Sequence, residues 1–142
     1  MRILVVAVGR LRDRPLRAAA DEYLKRIRRY ARCDEIEVRD GAALARPVPE
    51  GAHRIALEVD GEQVASLDFA RRVERWGASG KGELAFLIGG ADGIPADLSR
   101  AASSRLSLSR LTLPHRLARV LLYEQLYRAF TLIRGEPYAR ED

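Results

Sequence analysis

The chain has one cysteine, Cys33, so no internal disulfide can form, and with only His53 and His115 beside it no metal site is expected. Such sparing use of cysteine fits a reducing cytoplasm. No apolar stretch is long enough to cross a bilayer, which excludes a membrane-spanning segment. The opening MRILVVAVGRLRDRP holds only one short apolar run with no cleavage site behind it, and it reads as a first strand rather than a targeting segment. Internal repeats and linker-like stretches are lacking too. The 142 residues are therefore expected to form a single domain, 1–142, long enough to bury about two-thirds of its unfolded surface.

What is present is charge and alternation. The formal net charge of +5 is concentrated near the N-terminus, where Arg10, Arg12, Arg14, Arg17, Lys25, Arg26, Arg28, Arg29 and Arg32 face only Asp13, Asp21 and Glu22. A patch of that kind favours a polyanion such as RNA; a solvated helix face balanced by acids elsewhere is the alternative. Residues 2–8 are β-branched and end at Gly9, giving a buried strand. From Pro15 onward Leu16, Ala20, Tyr23, Ile27 and Tyr30 recur at helical spacing. Further strands are expected over 34–38, 53–59, 83–89 and 105–109. The stretch DGAALARPVPEGA is a connector, Ser66 is the expected cap of a helix reaching Trp76, and a short helix follows Pro95. Strands alternating with helices predict an α/β fold with a mainly parallel sheet. A last helix over 114–134 is apolar round most of its circumference, from Leu117 through Ile133, so one sheet face cannot cover it. A second subunit, making a homodimer, or a central place in a monomer core would.

The stretch FLIGGADG, residues 86–93, breaks a strand on glycines, which permit positive φ or a close approach to the backbone. A dinucleotide-binding fingerprint would require G-x-G-x-x-G after the first strand. A P-loop would require G-K-S or G-K-T, and a nucleophile elbow G-x-S-x-G; none occurs. The glycines therefore do not read as a phosphate cradle. On local sequence a plain turn is the alternative to close approach by a ligand at Gly89 and Gly90, with Asp92 and Gly93 shaping the turn behind.

Taken with SLSRLTLPHRLARVLLYEQLYRAF and the terminal PYAR, and with MRILVVAVGR, EYLKR and LEVDG, this stretch resembles the RlmH family of SPOUT-superfamily RNA methyltransferases over most of the chain. The resemblance implies a minimal SPOUT domain, homodimeric, with a C-terminal trefoil knot and an S-adenosylmethionine site. The implied reaction is methylation of N3 of a pseudouridine in large-subunit (23S) ribosomal RNA on the assembled ribosome. It also implies cofactor contacts at Leu57, Gly90, Ser109, Arg110, Leu111, Thr112, Leu113 and Pro114, with the leucines suited to packing on an adenine.

Glu124 and Arg128 lie one helical turn apart and can meet as a structural ion pair or hold Arg128 toward cofactor or RNA. With Tyr138 and Arg140 they make the expected catalytic set, in which Arg128 or Arg140 would stabilise charge developing on the uracil ring. Arg110, Arg116, Arg119 and Arg134 add charge near the same end of the domain, some of it for phosphate contacts and the rest simply at the surface, and His115 at the helix start is expected to be neutral, able to accept a proton or simply to cap or pack there. The family's usual Pro-Tyr-His-Arg tail has Ala139 in place of its histidine here. That departure keeps open a ribosome-binding protein with weakened or lost catalysis. The connector after the second strand is also shorter than in relatives, which bears on docking.

Overall fold

The structure, a computed structural model, describes residues 1–79 and 81–140, the side chains of Ala139 and Arg140 excepted. Its elements are β1 (Arg2–Val8), α1 (Arg14–Ile27), β2 (Arg32–Val38), β3 (His53–Glu62), α2 (Ser66–Ala78), β4 (Glu83–Ile88), α3 (Ala96–Ala101), β5 (Ser104–Leu106) and α4 (His115–Arg134). The five strands form one sheet, all pairs parallel, in the order β2-β1-β4-β3-β5. Short 3-10 turns occupy Gly41–Ala43 and Pro137–Arg140.

Local chemistry explains most boundaries. The Asp13 carboxylate accepts the Leu16 amide at 3.0 Å, Pro15 sits in the first turn of α1, and Lys25 and Arg26 complement the dipole in the last. Helical spacing runs on to Tyr30, but α1 stops at Ile27, and the Tyr30 ring stacks on Phe130 with centroids 5.4 Å apart. Ser66 is not the cap of α2. It is the first helical residue, and its hydroxyl donates to Gln125 on α4 at 2.8 Å, so a tertiary partner displaces the local one. Gly135, at φ 67, closes α4 in the left-handed conformation.

Alternation along β1 divides the core. Ile3, Val5 and Ala7 face the layer of α1, α2 and α4, while Leu4 and Val6 face the opposite side with Ala85 and Leu87. That second face is covered by Leu44 and Val48 of the connector and by Leu98 of α3, so the connector does the work of a helix without forming a long one. α4 lies against α1 and α2, burying Leu122, Leu126 and Phe130, each worth about 1.5–3 kcal/mol. Its apolar surface is not fully covered within one chain: Leu117 and Leu121, one turn apart, are 39% and 42% exposed.

Candidate active site

In a parallel sheet the C-terminal strand ends share one edge, and ligands bind in the crevice beyond it. Here that edge opens into a cleft of about 370 Å³ between the ends of β3 and β4, the segment Ser109–Leu113, and the start of α4. The volume lies within the roughly 300–1,000 Å³ of small-molecule sites. Leu57, Ile88, Leu108, Leu111 and Leu113 supply apolar walls, and Ser109, Thr112 and the Gly89–Ala91 backbone supply polar atoms. Two hydroxyls shape the segment: Ser107 donates to the Ser109 carbonyl at 2.9 Å, and the Ser109 hydroxyl accepts the Leu111 amide at 2.9 Å.

The structure brings Leu57, Gly90, Ser109, Leu111, Thr112 and Leu113 together on this lining. Arg110 is absent from it, its guanidinium turned to Gln63 at 3.1 Å, and Pro114 is the residue before α4 rather than a wall of the cleft. Gly89 and Gly90 line the cleft as the sequence suggested, and Gly89 has a second use. A Cβ on Gly89 would stand 2.5 Å from the Gly93 carbonyl carbon, so the clearance there is consumed by the chain folding back on itself. Gly93, at φ 73, makes that turn, and its amide donates to the Gly90 carbonyl at 3.0 Å.

The lining contains carboxylates, Glu58 and Asp60, and among the described residues no lysine or arginine. Arg105 pairs with both, at 2.6 and 2.9 Å, and the Ser99 hydroxyl donates to Glu58 at 2.8 Å, so this rim keeps one formal negative charge in excess. Such a surface repels a phosphate-bearing nucleotide and suits a cationic, phosphate-free ligand.

Behind the cleft lies a polar network that sequence reasoning missed. Arg119, fully buried, donates to Glu37 and, at 2.9 Å, to the Gly9 carbonyl; it stands 3.5 Å from Glu35. Tyr123 donates to Glu35, Arg17 reaches Glu35 at 2.7 Å, and Glu37 also accepts the Leu11 amide at 2.8 Å. Burial alone would push the Glu37 carboxyl up, but its hydrogen bonds to Arg119 and the Leu11 amide, with the charges of Arg119 and Arg17, hold it below the usual value. Arg119 thus cannot serve as an RNA phosphate contact, contrary to the sequence expectation, because its guanidinium is spent inside the protein. The available signal was the alternation of Glu35 and Glu37 on one face of β2 opposite an Arg-x-x-x-Tyr helical pair.

His115, the first residue of α4, lines the cleft, and its Nδ1 is buried without a partner among the described residues. Its pKa is lowered, first by burial and then by the charges of Arg119 and Arg116. The helix start is thus where expected, and burial is the main cause of the shift.

The expected catalytic residues gather elsewhere. Arg128 donates to Glu124 Oε2 at 2.9 Å, the Tyr138 hydroxyl donates to the same oxygen at 2.9 Å, and the Arg128 guanidinium lies 5.1 Å from the Tyr138 ring centroid. Tyr138 also packs edge-on against Tyr127, and the Tyr30 hydroxyl donates to Glu136 at 2.6 Å, pinning the tail to α1 and α4. Burial first, then the Glu124 hydrogen bond, raises the Tyr138 pKa. The Arg140 side chain lies outside the described residues. Glu124 is nine positions beyond His115, about 13 Å along α4 and about 180° round it, so the cluster and the cleft face opposite sides of the helix.

Comparison with known proteins agrees with this architecture. The family model described as "Predicted SPOUT methyltransferase" matches residues 1–139. The chain is 62% identical over 144 residues to a protein of Sorangium cellulosum named "Ribosomal RNA large subunit methyltransferase H", covering 98% of this chain and 99% of that one. A protein of the same name from Anaeromyxobacter dehalogenans is 43% identical over 152 residues, covering 97% and 99%. Among solved structures, a probable methylase family protein of Haemophilus influenzae shares the fold with TM-score 0.59 at 14% identity, over 98% of this chain and 69% of that one. A tRNA (m1G37) methyltransferase of Aquifex aeolicus does so with TM-score 0.52 at 9% identity, over 90% and 70%.

Proposed function

Because the chain belongs to the SPOUT methyltransferase family, we propose that it methylates large-subunit ribosomal RNA, at N3 of a pseudouridine on the assembled ribosome, using S-adenosylmethionine held in the cleft. The observation that carries the cofactor assignment is the lining: apolar walls for an adenine, an excess of carboxylate over guanidinium, and no lysine or arginine among the described residues. Bound there, S-adenosylmethionine would supply a methyl group on a sulfonium. Leu57, Leu111 and Leu113 would hold the adenine, and the Gly89–Ala91 backbone its polar edge, with the C-terminal trefoil knot of the family bringing these segments together.

A homodimer belongs to this reading. Glu124, Arg128 and Tyr138 face away from the cleft of their own chain, so one copy alone does not combine the two groups. The uncovered Leu117 and Leu121 offer a face for a second copy, whose tail would complete each cleft. Arg128, with Arg140, would stabilise negative charge developing on the uracil ring as N3 loses its proton, and Glu124 is the positioning residue that orients Arg128 and Tyr138. Aligning nitrogen and methyl group can contribute about 7–11 kcal/mol. Among the described residues no helix is long and apolar enough to cross a membrane, and a ribosomal RNA substrate would put the protein in the cytoplasm.

The test is incubation with labelled S-adenosylmethionine and either intact ribosomes or naked RNA lacking the modification. Label on intact ribosomes alone is the expected result. Cofactor binding without label on either substrate would favour the second reading, kept open by Ala139, of a ribosome-binding protein that has lost catalysis. Absence of cofactor binding would overturn the enzymatic reading.

A further inference from the structure

The arginines are not equivalent once their partners are counted. Of the basic cluster near the N-terminus, Arg17 is spent on Glu35 and Asp21, Arg26 on Glu22, and Arg28 on the Cys33 carbonyl. Likewise Arg72 and Arg105 are neutralised by acids at the β3–β5 side of the sheet. At the other end of the same strand edge the pattern reverses. The loop after β1 and the connector after β2 form two hollows that share Val38 and Arg39 and together make a groove edged by Arg10, Arg12, Arg39 and Arg46. All four are exposed and have no carboxylate partner among the described residues.

The acids that border this groove are already engaged. Glu37 holds Arg119 and the Leu11 amide, Asp40 accepts the Ala43 amide at 3.1 Å, and Asp13 caps α1. Asp40 and Asp13 keep their charge while accepting those amides and Glu37 is matched by Arg119, so the four guanidinium groups leave a local excess of about two positive charges facing solvent. Because β2, β1 and β4 are successive parallel strands of the sheet, the groove and the cleft lie along one edge. Gly9 joins them: it edges the groove, and a Cβ placed on it would meet the His115 ring of the cleft at 3.5 Å.

The geometry points to this groove as the track for the phosphodiester backbone of the RNA strand whose base enters the cleft. Its spaced, forked donors suit successive phosphates, and they carry no pattern for reading bases. The assignment rests on the ribosomal RNA reading above, since that reading supplies the polyanion. It adds the surface that positions the strand and gives the short connector a role, because Arg39 precedes it and Arg46 lies within it.

The test compares the native protein with the triple variant Arg12→Gln, Arg39→Gln, Arg46→Gln and with a control, Arg71→Gln, Arg75→Gln, Arg100→Gln, which removes three equally exposed arginines elsewhere. Co-sedimentation with large ribosomal subunits lacking the modification is measured across a salt series, beside calorimetric binding of S-adenosylmethionine. The groove variant is expected to lose about 2 from the logarithmic salt slope, about 0.7 per lost phosphate contact on single-stranded RNA. Its cofactor affinity should stay native, and the control should match the native protein in both readings. Equal slopes for groove variant and control would overturn the proposal. Native binding to subunits without methyl transfer would overturn the enzymatic reading instead and leave the salt slopes to decide the groove.

Discussion

α4 carries two clusters built from the same residue types, an arginine, a tyrosine one packing layer away, and glutamate, and burial separates their roles. At one end Arg119 is fully buried between Glu35, Glu37 and the Gly9 carbonyl, with Tyr123 on Glu35. At the other, Arg128, Glu124 and Tyr138 form a pair and a tail contact whose charged side chains keep 18% and 17% exposure. A charge taken wholly out of water must stay paired, so the first cluster fixes α4 to β2 and to the loop after β1. The second retains access to solvent and to whatever docks there, which suits a group that acts on substrate.

The largest effect should come from breaking the buried cluster. Arg119→Ala removes the buried guanidinium between Glu35 and Glu37, leaves them Arg17 alone, and is expected to cost about 2–3 kcal/mol in urea denaturation at neutral pH. Arg119→Lys should not restore it, since one ammonium cannot span both Glu37 and the Gly9 carbonyl as the fork does. A loss under 1 kcal/mol would mean that the network is dispensable.

The matching change at the other end should separate stability from turnover. Arg128→Gln is expected to alter stability by no more than about 1 kcal/mol. Methyl transfer to ribosomes should fall on the order of 10²-fold with unchanged S-adenosylmethionine affinity, as when one donor to a developing oxyanion is removed. Equal loss of turnover and cofactor affinity would instead place Arg128 in the cofactor site.

The contrast also marks what the sequence could reveal. Strand and helix positions were legible because apolar periodicity reports burial directly, as in β1, β4 and α4. The cleft residues Leu57, Ser109, Leu111 and Thr112 were named from a family resemblance, since three separated segments meet there and no local pattern records the meeting. Partner choice was hidden. Nothing in SLDFARR announces that Ser66 prefers Gln125 to its own helix, or that Arg119 faces inward while Arg116, three positions earlier, faces water. Long-range pairing decides these cases, and it has no signature within a window of a few residues.

A smaller effect tests the charge on the buried network. Glu37 titrates below its usual value when folded, so its contribution is complete above about 4.5, the value without the fold, and is lost as pH falls through the folded value. Urea midpoints taken from about pH 6 downward should therefore drop in the native protein and drop less steeply in Glu37→Gln. Parallel curves would show that Arg119 does not hold this carboxylate ionised.

The smallest expected effect concerns His115, whose ring borders both the cleft and the Arg119 end of α4. Burial and two nearby guanidinium groups lower its pKa from the ordinary 6.5. A base with a lowered folded value loses stability on the acid side: above 6.5 both states are neutral, and as pH falls below that the unfolded chain takes up a proton that the fold resists. His53, stacked on Trp76, is lowered by burial too and contributes in the same direction, so His53→Gln serves as the background. In that background, His115→Gln should flatten the remaining decline between about pH 7 and pH 5. The effect should grow at low ionic strength, where the Arg116 charge is least screened. A decline that persists undiminished in the double variant would mean that His115 accepts a proton as readily folded as unfolded, and the positive end of α4 would then have no hold on the ring beside the cleft.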